Sequence, residues 1–458
     1  MKRTRVFFGN APWKKDGFYG VRAGSRWPHF EEQSMEYMPF PFFLAYATAV
    51  LERDGFPVLL VDGIAEGITD EAFLTRIRDF QPDVIVLEIS TNSYDKDMYH
   101  VARIREENPD KLIILAGLHD EMFKTPWLRE HTEVNAVLVG EYEMALLEFA
   151  QRLEAGVSPV GTVGLLWRDA DGDVFDGGRR PLEPDLSVFP WPARHYLPMY
   201  AYRDEPGNIP RPSVQMWASR GCPYGCTFCA WPQIMYASPK YRVRSVEDVV
   251  DEMEWLAREY NFASAYFDDD TFNIGKKRML AFAREVKSRN MDLPFGIMAR
   301  ADLMDREILT ELKEAGLWGL KYGVESATQE IVDACDKGLD LEKVKRAVAF
   351  THELGIKMHL TFMFGLPGET WDSAMKTIDM AIAFAPESVQ FTVATPFPGS
   401  KYWNEITSEG KLRTRDFSKY DGFRSAVVRT DALTGDQLEE ILRMANQRWS
   451  QFRFQRAG

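Results

Sequence analysis

Three cysteines carry the most distinctive chemistry in this 458-residue chain. They lie in Ser219-Arg220-Gly221-Cys222-Pro223-Tyr224-Gly225-Cys226-Thr227-Phe228-Cys229, a C-x3-C-x2-C spacing directly after the strand-like run 214–218. Iron–sulfur clusters are ordinarily held by four thiolates. Three thiolates on one short loop hold three irons of a cubane and leave the fourth iron open to an outside ligand. Gly221 and Gly225 let the loop curl so that the sulfurs converge, and Phe228 raises an apolar wall beside them. The competing reading is zinc, which wants four ligands, commonly a second cysteine pair or histidines. No second pair exists, and no histidine lies between His195 and His352.

The fourth cysteine, Cys335, is a hundred residues away in the helix-like stretch Ile331-Val332-Asp333-Ala334-Cys335-Asp336, where it reads as a small buried side chain. Clustered thiols in a large chain without a signal-like start argue for metal chemistry in a reducing, cytoplasmic compartment rather than disulfides.

The elements around the loop must position it. Downstream, strand-like runs at 264–268, 295–300, 318–325, 357–365 and 388–395 alternate with helix-like runs at 246–260, 276–289, 305–315, 341–354 and 371–384. Counting 214–218, that makes six strands. Their ends carry Asp268-Asp269-Asp270 with Asn273, then Arg300 and Asp302, Glu325-Ser326, Gly365-Leu366-Pro367-Gly368-Glu369 and Pro396-Phe397-Pro398-Gly399. Side chains alternate along a strand, so Asp268 and Asp270 are expected on one face, lining the mouth.

The first third is also α/β. Apolar runs at 5–10, 57–62, 83–90, 111–117 and 136–140 alternate with amphipathic segments at 42–53, 70–80, 94–107 and 143–154. Continuous apolar strands imply a doubly wound parallel sheet covered on both faces, with ligands bound at the carboxyl ends of its strands. The loops there contain Ser90, Thr91, Asn92, Gly117, Gly140 and Glu141. No GxGxxG follows the first strand, so a dinucleotide cradle is excluded. A long stretch, 14–41, with Phe18, Tyr19, Trp27 and Phe30 reads as an ordered functional loop. Residues 156–212 hold one hairpin, then a proline-rich connector.

With 55 basic against 69 acidic residues, the net charge is −14. That charge, without a basic run, excludes a nucleic-acid binder. No apolar run is long enough to span a membrane.

The cysteine spacing after a strand, with the strand-end motifs beyond it, resembles the radical S-adenosylmethionine (SAM) superfamily. The resemblance implies a partial (β/α)6 barrel with a [4Fe–4S] cluster on Cys222, Cys226 and Cys229, and SAM chelating the open iron. It implies SAM contacts at Phe228, at Glu325 and Ser326, and at Phe364 and Gly365, where adenine is met. It also places Arg300 near the SAM carboxylate. The bland alternative for Glu325 and Ser326 is a cap on the helix at Thr328. One electron from the cluster would cleave SAM to a 5′-deoxyadenosyl radical in a site closed to oxygen.

The doubly wound domain ahead of such a barrel resembles the cobalamin-dependent branch. This implies corrin contacts at Ser90, Thr91, Asn92, Gly117, Gly140 and Glu141. An Asp-x-His-x-x-Gly motif is absent, so no histidine would supply the lower axial ligand. The expected organisation is a cobalamin-binding-like domain at 1–155, a linker at 156–212, the barrel at 213–400 and a C-terminal cap at 401–458. The implied function is methyl transfer to an unactivated carbon of a small-molecule substrate, with an external reductant such as flavodoxin or ferredoxin. The alternatives are radical rearrangement or ring formation in a lipid or natural-product pathway, or an iron–sulfur electron-transfer protein without turnover.

Overall fold

The structure is a computed structural model that describes residues 3–15, 18–21, 29–31 and 37–457. It divides into two compact units, Met1–Tyr202 with Ala230–Ser238 and Phe397–Ser400, and Arg203–Cys229 with Pro239–Pro396 and Lys401–Gly458.

The first unit is built on strands β1 (Val6–Asn10), β2 (Val58–Asp62), β3 (Val84–Ser90), β4 (Leu112–Leu118), β5 (Ala136–Leu138), β6 (Leu165–Arg168) and β7 (Val174–Asp176). They lie in the order β7-β6-β5-β4-β3-β1-β2. β1 to β5 are parallel. β1 sits between β3 and β2, where the strand order reverses, the place where doubly wound sheets take ligands. Every residue of β3 is buried, which explains the unbroken apolar run: helices cover both faces. Phe7, Phe73, Ile85, Ile104 and Leu115 share one core. The hairpin β6–β7 is hydrogen-bonded antiparallel to β5 and extends this sheet past residue 155. Of the long stretch after β1, three short antiparallel strands are seen, Lys14–Lys15, Phe18–Val21 and His29–Glu31. Residues 16–17, 22–28 and 32–36 of that expected loop, Trp27 included, lie outside the described residues.

The second unit is a half-barrel of six parallel strands in chain order: β8 (Ser213–Met216), β9 (Ser264–Phe267), β10 (Phe295–Ala299), β11 (Leu317–Glu325), β12 (Lys357–Phe364) and β13 (Ser388–Val393). β8 and β13 are its edges. Helices pack outside. The helix Val246–Tyr260 starts where the Ser245 side chain accepts from the Asp248 N–H at 3.1 Å, and buries Val249, Val250, Met253 and Leu256. Phe267 and Phe295 meet Phe282 of the helix Lys276–Ser288 edge to face, at 5.5 and 5.4 Å.

The concave side is different. Lys321 lies over the Tyr266 ring at 5.2 Å and donates to both oxygens of Asp204 at 2.6 and 2.7 Å. Asp204 belongs to a segment crossing the amino ends of the strands. A Cβ on Gly319 would stand 2.5 Å from the Pro206 carbonyl oxygen, and one on Gly296 would stand 3.1 Å from the Pro206 ring. Small residues on β10 and β11 therefore admit a floor made by the chain just ahead of β8. Among the described residues no helix is long and apolar enough to cross a membrane.

Candidate cluster and cofactor sites

The cysteine loop leaves β8 at the carboxyl end of the half-barrel and is anchored along its length. The Ala218 N–H donates to Asp269 Oδ2 at 3.1 Å, the Ser219 hydroxyl donates to Asp269 Oδ1, and the Gly221 N–H donates to Asp270 Oδ2 at 2.8 Å. Arg278 donates to the Ala218 carbonyl at 3.1 Å, and Arg244 to that of Trp217 at 2.8 Å. Further along, the Thr227 N–H meets the Cys335 carbonyl at 2.9 Å, and the Thr227 carbonyl accepts from the Tyr402 N–H at 3.0 Å.

Gly221 has φ +91°, and a Cβ there would lie 2.1 Å from the Lys240 carbonyl oxygen. Only glycine fits. Gly225 carries no such demand, because a Cβ would make an ordinary 3.9 Å contact with Asp336. The strand alternation expected across Asp268–Asp270 does not extend to its last two residues. β9 ends at Phe267, so alternation lapses and the adjacent Asp269 and Asp270 both turn to the loop.

All four cysteines are free thiols; Cys222, Cys226 and Cys229 are half-buried. The Cys222 sulfur is 3.4 Å from the Thr271 hydroxyl. Burial raises the Cys226 thiol, and the nearby Lys337 ammonium pulls it back down. No set of three or more His, Cys, Asp or Glu side chains among the described residues is close enough to hold a single ion; in a cubane each sulfur meets its own iron. A thiol loop fixed by main-chain bonds, with cationic side chains beside it, fits an anionic cluster. Cys335 is fully buried, and burial followed by the proximity of Cys226 pushes its thiol up to about 12.

The strand-end residues come together at the same end. Glu325 closes β11 in a left-handed conformation, φ +68°, at a register shift between Gly323 and Glu325. Its Oε1 accepts from Lys337 Nζ at 2.8 Å, and both side chains are about nine-tenths buried (8% and 10% exposed). Burial opposes the charge on Lys337, but the Glu325 carboxylate and the neighbouring Cys226 together raise the ammonium. A Cβ on Gly323 would stand 2.7 Å from Glu325 Oε1. Ser326 is buried; its hydroxyl accepts from the Thr328 N–H at 3.2 Å, while the Thr377 hydroxyl accepts from the Ala327 N–H at 3.0 Å.

Arg300 grips Asp302 through two nitrogens at 3.1 and 2.9 Å, donates to the Lys337 and Gly338 carbonyls at 2.9 and 3.0 Å, and lies 3.5 Å from the Tyr224 ring centre. Four of its five N–H groups are thus engaged, two by Asp302 and two by the carbonyls of residues 337–338, while the guanidinium lies on Tyr224 of the cysteine loop. Phe228 and Phe364 are buried. At Gly365, φ +84°, the N–H donates to Glu369 Oε2, and the carbonyl accepts from the Tyr402 hydroxyl at 2.8 Å. Glu369 is fully buried, its Oε1 has no partner among the described residues, and burial pushes its carboxyl up to about 8.

In the first unit, Ser90, Thr91 and Asn92 lie at the carboxyl end of β3 and are buried. The Ser90 and Ser93 hydroxyls are 2.8 Å apart, and Ser93 donates to Asp97 at 2.6 Å. The Thr91 hydroxyl donates to the Leu118 carbonyl at 3.2 Å and lies 3.2 Å from His119 Nδ1. Burial, with the charge of Lys124, pushes the His119 ring down to about 3, so it is neutral. Gly117 is glycine because a Cβ would strike the Ile89 carbonyl at 2.2 Å, and Gly140, φ +75°, because a Cβ would lie 2.6 Å from the Met235 carbonyl. Glu141 is half-buried beside it. The orphan here is Asn10, the last residue of β1: it is fully buried, and neither its Oδ1 nor its Nδ2 has a partner among the described residues. A ligand rich in amide groups fits that end of the sheet.

Sequence reasoning passed over Lys337, Asn10 and Asp269. Lys337 and Asn10 lack a motif; Asp269 was visible, but only its neighbours Asp268 and Asp270 were singled out.

Residues 218–381 match the model of the radical SAM superfamily. They are a radical SAM domain. The chain is 29% identical over 406 residues to the uncharacterized methyltransferase PH0819 of Pyrococcus horikoshii, spanning 88% of this chain and 86% of that one. It is 26% identical over 416 residues to the anaerobic magnesium-protoporphyrin IX monomethyl ester cyclase of Rubrivivax gelatinosus, spanning 88% and 72%. Among solved structures, the radical SAM methyltransferase TsrM of Kitasatospora setae, with cobalamin and a [4Fe–4S] cluster bound, superposes with a TM-score of 0.68 at 19% identity, covering 90% of this chain and 76% of that one. At that identity the likeness is one of fold. It embraces the doubly wound sheet as well as the radical SAM domain, so the chain has the two-part α/β architecture of cobalamin radical SAM enzymes.

Proposed function

We propose that this chain is a cobalamin-dependent radical SAM methyltransferase acting on an unactivated carbon of a small molecule. The observation that carries the reading is the presence, in one chain, of a three-cysteine loop anchored on a half-barrel and a doubly wound sheet whose switch point holds the unsatisfied Asn10 amide. When bound, the cluster with SAM supplies a 5′-deoxyadenosyl radical, and cobalamin supplies a transferable methyl group.

The residues of the chain bind and position. Cys222, Cys226 and Cys229 hold the cluster, and Asp269 and Asp270 keep their loop rigid. Glu325 and Lys337 present a carboxylate and an ammonium side by side, complementary to the ammonium and carboxylate of an amino acid such as the methionyl end of SAM. Gly365 and Phe364 offer main chain and an apolar surface to adenine. Asn10 offers a donor and an acceptor to the amide-bearing rim of a corrin. The cluster, once held by these cysteines, would need an electron from an external one-electron donor such as flavodoxin or ferredoxin.

Reconstitution without oxygen tests the reading. About four irons and one corrin per chain, with deuterium transferred from methyl-labelled SAM to a product, are expected. SAM cleavage without label transfer favours the second reading, radical ring formation, which the similarity to the cyclase supports.

A further inference from the structure

The inner face of the half-barrel is polar where the outer face is not. Strand pairing sets Met298 against Lys321, Lys321 against His359 and His359 against Ser388, with Thr361 beside Gln390 in the next row. Paired residues point to the same face, and the Lys321–Tyr266 contact identifies it as the concave one. On the helix-covered face Ile297, Leu360 and Phe362 are sealed from water. Met298, Thr361 and Gln390 are only half-buried although they sit mid-strand. They keep some access to solvent instead of being sealed by packed side chains.

Polar groups face that space without protein partners among the described residues. They are the Thr361 hydroxyl and the Gln390 amide, with His359 Nε2 sealed beneath them. His359 is held by its Nδ1, 2.8 Å from the Ser388 hydroxyl. Burial, with the charge of Lys321, pushes its ring down to about 3, so it acts as a neutral group. Lys321 is matched by Asp204. The patch therefore offers hydrogen bonds rather than net charge: Thr361 and Gln390 are exposed enough to meet a ligand, and the buried His359 Nε2 is the group among them whose unmet bond is costly.

We propose that Thr361, Gln390 and His359 form the substrate-recognition patch, and that the substrate is a water-soluble small molecule with adjacent hydrogen-bond donors and acceptors, not a lipid. The inference rests on the enzymatic reading above and names the substrate class of that site. A site that hydrogen-bonds its substrate rejects analogues lacking those groups far more strongly than an apolar pocket discriminates by size.

The test uses the reconstituted full chain with methyl-deuterated SAM and reductant. Separate arms add the aqueous low-mass extract and the organic-solvent extract of its host cells. Release of 5′-deoxyadenosine is read relative to each protein's own rate without extract. The aqueous extract is expected to stimulate release, and Thr361→Val with Gln390→Leu to cut that stimulation about tenfold, the worth of one or two hydrogen bonds. Iron content and circular dichroism report folding of the variant; if it misfolds, the wild-type comparison of the two extracts still decides. Stimulation by the organic extract alone, by neither extract, or equally in wild type and folded variant overturns the proposal. Deuterium transfer is read separately: aqueous stimulation without label transfer supports the patch and removes the methyl-transfer reading instead.

Discussion

Lys337 Nζ and Glu325 Oε1 stand 2.8 Å apart, buried at the end of β11, although the residues are twelve positions apart. Removing one partner of a buried pair strands the other charge, which costs about 3–5 kcal/mol. Lys337→Met is therefore expected to lower the denaturation midpoint strongly. The double variant Lys337→Met, Glu325→Gln should recover most of that stability, since no lone charge remains. Equilibrium dialysis with SAM separates structure from function: neither variant should regain binding.

Gly221→Ala tests the cysteine loop. The added methyl meets the Lys240 carbonyl, and the backbone there, at φ +91°, is one that alanine resists. A loss of about 1–3 kcal/mol is expected, with iron per chain falling well below wild type after reconstitution. Gly225→Ala, with room for its methyl, should retain iron.

Asn10→Leu separates the cofactor from the fold. An amide buried without partners costs about 1–3 kcal/mol, so replacing it should leave the apo chain as stable as wild type or more so. Cobalt retained after gel filtration should fall. Retention at the wild-type level would remove Asn10 from the corrin site.

Glu369 predicts a pH dependence. Its folded carboxyl titrates at about 8, against an ordinary 4.5. Between those values the folded chain keeps a proton that the unfolded chain releases. Its contribution is complete below about pH 4.5 and is lost as pH rises through 8, with a slope of at most about 1.4 kcal/mol per unit. Denaturant titrations at pH 6 and 8.5 should show wild type losing stability relative to Glu369→Gln across that interval. Parallel behaviour of the two would refute the assignment.

What was legible in the sequence was what is local. β3 and β4 announce themselves because strands covered on both faces carry unbroken apolar runs. The cysteine loop is legible because its ligands fall within eight residues. The hairpin at 165–176 was visible, but its membership of the first sheet depends on pairing with β5, which no local pattern encodes. Lys337 reaches Glu325 only because a register shift and a left-handed residue turn the carboxylate back. Asp269 was passed over because strand alternation was carried to Asp270, three residues beyond the end of the strand.

The floor of the half-barrel sets a rule for dissecting this chain. A truncated protein beginning at β8 would discard Asp204 and Pro206, stranding the Lys321 ammonium beside Tyr266 and leaving hollows over Gly296 and Gly319. Any swap with a relative should therefore be spliced upstream of Arg203, so that the catalytic half travels with its own base plate.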